Sequence, residues 1–217
     1  MRVILLLVLI INIVHYTSGQ NMSGQKKEVA PSANEICPIK IGETVPGIFL
    51  RDNYGDLINL RELFKQTRTV LIFYRGGWCP YCNLQLADLN SIENEIKNLG
   101  YQVVAVSIDK PEKLMESLGE HKLSYTLLSD SKAEASIAFG LAFKVEDEYN
   151  KMLKDHDLDI EEASGEDHHI LPVPAVFIVD LNGIIQFSYV NPDYKVRLNG
   201  EILLKAAEQY SIFQSVK

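Results

Sequence analysis

The chain has 217 residues, a formal net charge of −8 and 47% hydrophobic residues, enough for one domain with a substantial core. An acidic chain without a Lys/Arg cluster offers little to a phosphate backbone, so nucleic acid is excluded as an expected partner. Three cysteines, Cys37, Cys79 and Cys82, are too few for a disulfide scaffold, and a chain this long does not need one.

Arg2 precedes an apolar run from Val3 to Val14, interrupted only by Asn12. The run is shorter than the about 20 residues of a membrane span and has the length of a signal-peptide core. Small residues at Thr17 and Gly19 place the expected cleavage before Gln20, making residues 1–19 a signal peptide; the alternative is an uncleaved anchor. The protein is therefore expected to be exported, periplasmic or extracellular, without stable membrane insertion after cleavage. Residues 20–35 are polar and read as a flexible linker, which leaves one domain over residues 36–217.

Within that domain Val45 to Leu50 is a strand candidate, "DNYG" a turn, and Leu60 to Gln66 a short helix. "TVLIFYR" is an unbroken apolar strand of the kind buried on both faces. Leu86, Leu89, Ile92, Ile96 and Leu99 recur at spacings of three and four, predicting one long helix closed by Gly100. "YQVVAVSID" and "YTLLSD" are further strands, each followed by a helix, the first opened by Pro111. Val145 to Asp167 is acidic, helical at first and then a loop. Two β-rich runs around Asn182-Gly183 predict a hairpin, and a helix over Gly200 to Tyr210 closes the chain. Strands alternating with helices predict an α/β fold, a central mixed sheet flanked by helices with the hairpin at one edge.

The sharpest motif is "RGGWCPYCNLQ". Cys79 and Cys82 share one face at a predicted helix start. The helix N-terminus there favours a thiolate, and the preceding strand delivers it to the C-terminal sheet edge where such folds place chemistry. Cys82 falls in phase with Leu86, Leu89 and Ile96 and is expected to face the core, with Cys79 exposed. A zinc site competes, but four ligands are needed and His168-His169 is the one other cluster; no metal and no cofactor is expected. A structural disulfide is disfavoured because so short a loop removes little chain entropy. Redox chemistry is the leading reading. Pro174 opens the hairpin, and a cis Val173-Pro174 bond abutting the cysteines is expected.

The strand, "WCPYC", the helix and the late Pro-initiated hairpin resemble the thioredoxin superfamily. "IGETVPGIFLRDNYGDLINL", "FYRGGWCPYC" and "VPAVFIVDLNGIIQFSYVNPDYKVR" together resemble the peroxiredoxin-like branch of the AhpC/TSA (redoxin) family, over roughly Ile36 to Tyr210. The resemblance implies a thioredoxin-like fold with peroxiredoxin-type additions. It implies Cys79 as the peroxidatic nucleophile, Cys82 as the resolving thiol, a redox disulfide between them, and a thioredoxin-like reductant. Gly76, Gly77, Trp78, Pro80, Tyr81, Val173 and Pro174 would then shape the site. Family members carry Pro and Thr or Ser seven and three residues before the nucleophile; this chain has Ile72 and Gly76. That departure keeps a second reading open, a thiol–disulfide oxidoreductase acting on protein disulfides. Arg75 is a candidate cation for the thiolate and His168 and His169 candidate proton carriers. Asp109 and Asp130 are expected as caps or turn residues, and Cys37 as an idle thiol.

Overall fold

A computed structural model describes residues 27–121 and 124–214; the expected signal peptide and its cleavage point lie outside them. The chain opens with β1 (Phe49–Asp52) and β2 (Leu57–Asn59), an antiparallel pair, followed by α1 (Leu60–Gln66). Asn59 caps α1 by accepting from the N–H groups of Arg61 (3.0 Å) and Glu62 (3.4 Å), a contribution of about 1 kcal/mol.

The centre of the sheet is β3 (Arg68–Phe73), paired in parallel with β4 (Tyr101–Ser107), which in turn runs parallel to β5 (Thr126–Ser129). On its other side β3 meets β8 (Ala175–Val179) antiparallel, and β8 turns into β9 (Ile185–Val190). The order is β2-β1-β5-β4-β3-β8-β9, a parallel centre with antiparallel flanks. Alternation along the strands sends side chains to two layers. Val70, Ile72, Val103, Ala105, Val176 and Ile178 face one core, and Leu71, Phe73, Val104, Val106 and Phe177 the other.

The first layer is covered by α2 (Pro80–Ser91), α3 (Glu93–Asn98), α4 (Pro111–His121) and α8 (Gly200–Gln214). It holds Leu86, Leu89, Ile96, Leu114, Leu203 and both cysteines of the pair. The second is covered by α1 and α5 (Glu134–Ala138), through Leu60, Phe64 and Ala135. The expected long helix after the cysteines is in fact two. Ser91 Oγ donates to the Asp88 carbonyl (2.6 Å) and the Ile92 N–H bonds the Leu89 carbonyl. Such back-bonding competes with the helical ladder and breaks it.

A second, two-stranded sheet pairs β6 (Ala142–Lys144) with β7 (Ile170–Pro172), enclosing α6 (Asp147–Asp155) and α7 (Ile160–Ser164). Ala30 joins its edge, donating to Ala142 O and accepting from Lys144 N, both at 2.9 Å. A 3-10 turn follows at Ala33–Glu35. The described part of the lead-in, residues 27–35, is thus tied to the domain and is not a free linker. Among the described residues no helix is long and apolar enough to cross a membrane.

Candidate active site

Strand β3 ends at Phe73, whose partner across the sheet is Ala175. Val173 and Pro174, both buried, directly precede Ala175 on the neighbouring strand. The peptide bond between them is trans. The chain passes extended from β7 into β8 with the Val173 N–H donating to Leu141 O (2.9 Å), so no reversal of direction is required there.

Cys79 is the N-cap of α2 and Pro80 its first residue, where the missing N–H of proline costs nothing. Both cysteines are free thiols. Cys82 is fully buried, as its phase with Leu86 and Leu89 predicts, but Cys79 is only 1% exposed, against expectation. Trp78 and Tyr194 pack on the cluster that contains it, and the loop folds over the sulfur.

The electrostatics separate the two thiols. The Cys82 S–H hydrogen bond, then the charge of Arg75, outweigh burial and bring Cys79 down to about 6. Burial and the neighbouring Cys79 push Cys82 well above the ordinary thiol range. At neutral pH the pair therefore holds one proton, on Cys82, and one negative charge, on Cys79.

Arg75 does not face solvent. It is 3% exposed, donates to Tyr149 OH (2.8 Å), and lies 4.2 Å over the Tyr194 ring and 4.9 Å over Trp78. Tyr81 stacks edge-on against Tyr194 at 5.6 Å. A second cation, Arg197, was given no role by the sequence. It donates to Cys82 Sγ (3.3 Å), Gln85 Oε1 (2.9 Å) and Tyr194 O (2.6 Å). Among the described residues neither arginine forms an ion pair, so both charges are left for the sulfurs. Arg197 carries no local sequence signal, since its contact with Cys82 spans 115 residues.

The two glycines are dictated by packing. A Cβ on Gly76 would lie 2.2 Å from Trp78 Nε1 and 2.6 Å from Asp109 Oδ1, at a φ of +154°. One on Gly77 would lie 2.0 Å from Ser117 Oγ. Asp109 is no simple cap. Its Oδ2 accepts the Gly77 N–H at 2.7 Å, and burial raises its carboxyl to about 6. Its Oδ1 and the Trp78 Nε1–H are buried without hydrogen-bond partners, and both residues line a cleft of about 190 Å³. Two unmet polar atoms thus occupy the space a side chain at Gly76 would fill.

The histidines lie elsewhere. His168 Nε2 bonds the Ser131 carbonyl (2.7 Å) while its Nδ1 accepts the Ile170 N–H (2.9 Å). His169 Nε2 contacts Glu161, with Asn150 at 3.4 Å. These bonds fix loops of the small sheet and do not reach the cysteines. Asp130 caps α5 through the N–H groups of Ala135 and Ser136. Among the described residues no three His, Cys, Asp or Glu side chains form a metal cluster.

A mixed sheet between two helical layers, with Cys-x-x-Cys at the helix start after the central strand, defines a thioredoxin-like fold. Solved structures share it. Peroxidoxin BcpB from Mycobacterium tuberculosis superposes with a TM-score of 0.61 at 18% identity over 79% of this chain and 97% of its own. Reduced Prx3 from Vibrio vulnificus, in complex with H2O2, gives 0.64 at 19% over 78% and 99%. The sequence signature of the AhpC/TSA family matches residues 41–188, and the chain belongs to that family. Peroxiredoxin Bcp of Escherichia coli is 29% identical over 174 residues, 80% of this chain and 99% of the relative.

Proposed function

We propose that this protein is an exported thiol-dependent peroxidase, with Cys79 as the peroxidatic and Cys82 as the resolving thiol. The observation that carries the reading is Cys79 at a helix N-terminus, beside an unpaired buried Arg75 and the Cys82 S–H, with its thiol lowered to about 6. Family membership and the peroxiredoxin relatives support it.

In the first step the Cys79 thiolate attacks the terminal peroxide oxygen. The S–O bond forms as the O–O bond breaks, the transferred oxygen keeps its hydrogen as the sulfenic acid S–OH, and the alkoxide or hydroxide departs and is protonated by solvent. Gly76 supplies no hydroxyl to orient the peroxide. The unpartnered Trp78 N–H stands in that space as a donor for the departing peroxide oxygen, the part played in an oxyanion hole, and Asp109 Oδ1 beside it is an acceptor for the peroxide O–H. Cys82 then closes the disulfide, and a thioredoxin-type donor resets the pair by exchange. Export rests on the apolar run Val3 to Val14.

Stopped-flow mixing of the reduced protein with hydrogen peroxide tests this. Oxidation of Cys79 is expected to be at least about a hundredfold faster than for a free thiol at equal pH, the size of one oriented donor; no acceleration overturns the peroxidase reading. Gly76 and the free pair favour a second reading, exchange with protein disulfides. In that case peroxide reacts slowly while Cys82→Ser traps a mixed disulfide with a protein substrate.

A further inference from the structure

Two cations serve the pair, and the one hydrogen-bonded to Cys82, Arg197, which also adds a smaller lowering of Cys79, has no part in the steps above. Arg197 uses all three nitrogens: Nη2 on Cys82 Sγ at 3.3 Å, Nη1 on Gln85 Oε1 at 2.9 Å and Nε on Tyr194 O at 2.6 Å. The fork is therefore held in one orientation, and no carboxylate among the described residues neutralises it. Cys82 is fully buried within an apolar cluster, surroundings in which a thiol is ordinarily inert. The guanidinium is a charged donor in contact with that sulfur, and charged donors make the stronger hydrogen bonds.

We propose that Arg197 is a catalytic residue of the second half-reaction, stabilising negative charge on Cys82 Sγ as it closes the disulfide on Cys79. The inference rests on Cys79 as attacking and Cys82 as resolving sulfur. In the step, the Cys79 S–O bond breaks and the S–S bond forms. The Cys82 proton leaves with the departing hydroxide as water. The Cys82 sulfur is oxidised and the sulfenic sulfur reduced, so no further oxidant is needed. Arg75 is the larger charge acting on the attacking sulfur, and Arg197 is the one in contact with the closing sulfur.

The test mixes reduced full-length Arg197→Met and Arg197→Lys with hydrogen peroxide from about pH 5 to 9, spanning the thiol range. Trp78 emission and mass spectrometry of quenched samples separate Cys79 oxidation from disulfide closure. In Arg197→Met, closure is expected to slow by about 10- to 100-fold, and its pH midpoint to rise. The oxidation phase should slow less than closure, because Arg197 is the smaller of the two charges lowering Cys79, and Cys79 should accumulate as sulfinic acid on repeated exposure. Arg197→Lys, which keeps the charge, should recover part of the closure rate. Closure as fast as wild type, or slowed with an unchanged pH profile, overturns the proposal, the latter marking a merely structural residue. If wild type itself shows no peroxide phase, the peroxidase reading fails and the same variants are followed with Ellman's reagent. With the exposed third thiol removed as Cys37→Ser in every variant, the first thionitrobenzoate release then reports attack by Cys79 and the second closure by Cys82; Arg197→Met must slow the second selectively.

Discussion

Placing a hydroxyl three residues before Cys79, as Gly76→Thr, is expected to damage this protein without speeding its reaction with peroxide. The threonine Cβ would stand 2.2 Å from Trp78 Nε1 and 2.6 Å from both Trp78 Cδ1 and Asp109 Oδ1. Neither neighbour yields easily, because Trp78 lies under Arg75 and Asp109 is held by the Gly77 N–H. Overpacking of this kind costs roughly 1–3 kcal/mol, and an L residue at a φ of +154° adds about 1–3 kcal/mol. A combined loss of about 2–6 kcal/mol lowers a urea midpoint by roughly 1–3 M for a domain of this size. Gly76→Ala isolates the Cβ contribution and should show most of the loss. Trp78, the single tryptophan, reports unfolding by fluorescence, and stopped flow gives the peroxide rate. A Gly76→Thr protein within about 0.5 kcal/mol of wild type, or one reacting ten times faster, would refute the packing argument.

Two further expectations follow from the site's charges. The pH profile of Cys79 alkylation by iodoacetamide should have its midpoint near 6. Cys82→Ala should raise that midpoint more than Arg75→Met, because the thiol hydrogen bond is the larger cause; the reverse order would show that the arginine leads. Asp109 is raised to about 6 from 3.8, so the native state binds its proton more tightly than the unfolded chain does. Stability is then highest below about pH 4 on this account and falls as pH rises towards 6, by up to about 3 kcal/mol at about 1.4 kcal/mol per pH unit. Asp130 is likewise raised to about 6, so Asp109→Asn should remove about half the combined slope in urea unfolding between pH 4 and 7. An unchanged slope would contradict it.

How far the sequence speaks depends on the distance over which each contact acts. Leu60–Gln66, the three parallel strands, the hairpin and the cysteines at a helix start carry their signal in a few neighbouring residues, and all are found. The helix break at Ile92 turns on one serine's back-bond and leaves the apolar period intact. Strands β6 and β7 are three residues each and are separated by the 25 residues 145–169, so no periodicity reveals them. Site chemistry follows the same rule. Cys79, Cys82, Gly76 and Gly77 sit within one motif, whereas Arg197 reaches Cys82 across 115 residues and Arg75 finds Tyr149 across 74. Such pairs are made by the sheet order and have no local signature. The trans bond before Pro174 shows the converse, a local motif overridden by the path between two strands.

The burial of Cys79 has a consequence for turnover. With 1% and 0% of the two residues exposed, a small oxidant diffusing through a breathing loop can meet the thiolate, while the sulfur of another protein cannot. On the proposed cycle, reset by a macromolecular reductant requires the first turn of α2 to fray, carrying Cys79, Pro80 and Tyr81 outward. Oxidation and reduction in that cycle would use two different shapes of the same loop. The opening free energy of that turn, readable as amide hydrogen exchange at Cys82 and Asn83, whose N–H groups bond the Cys79 carbonyl, sets a ceiling on how fast the cycle can run.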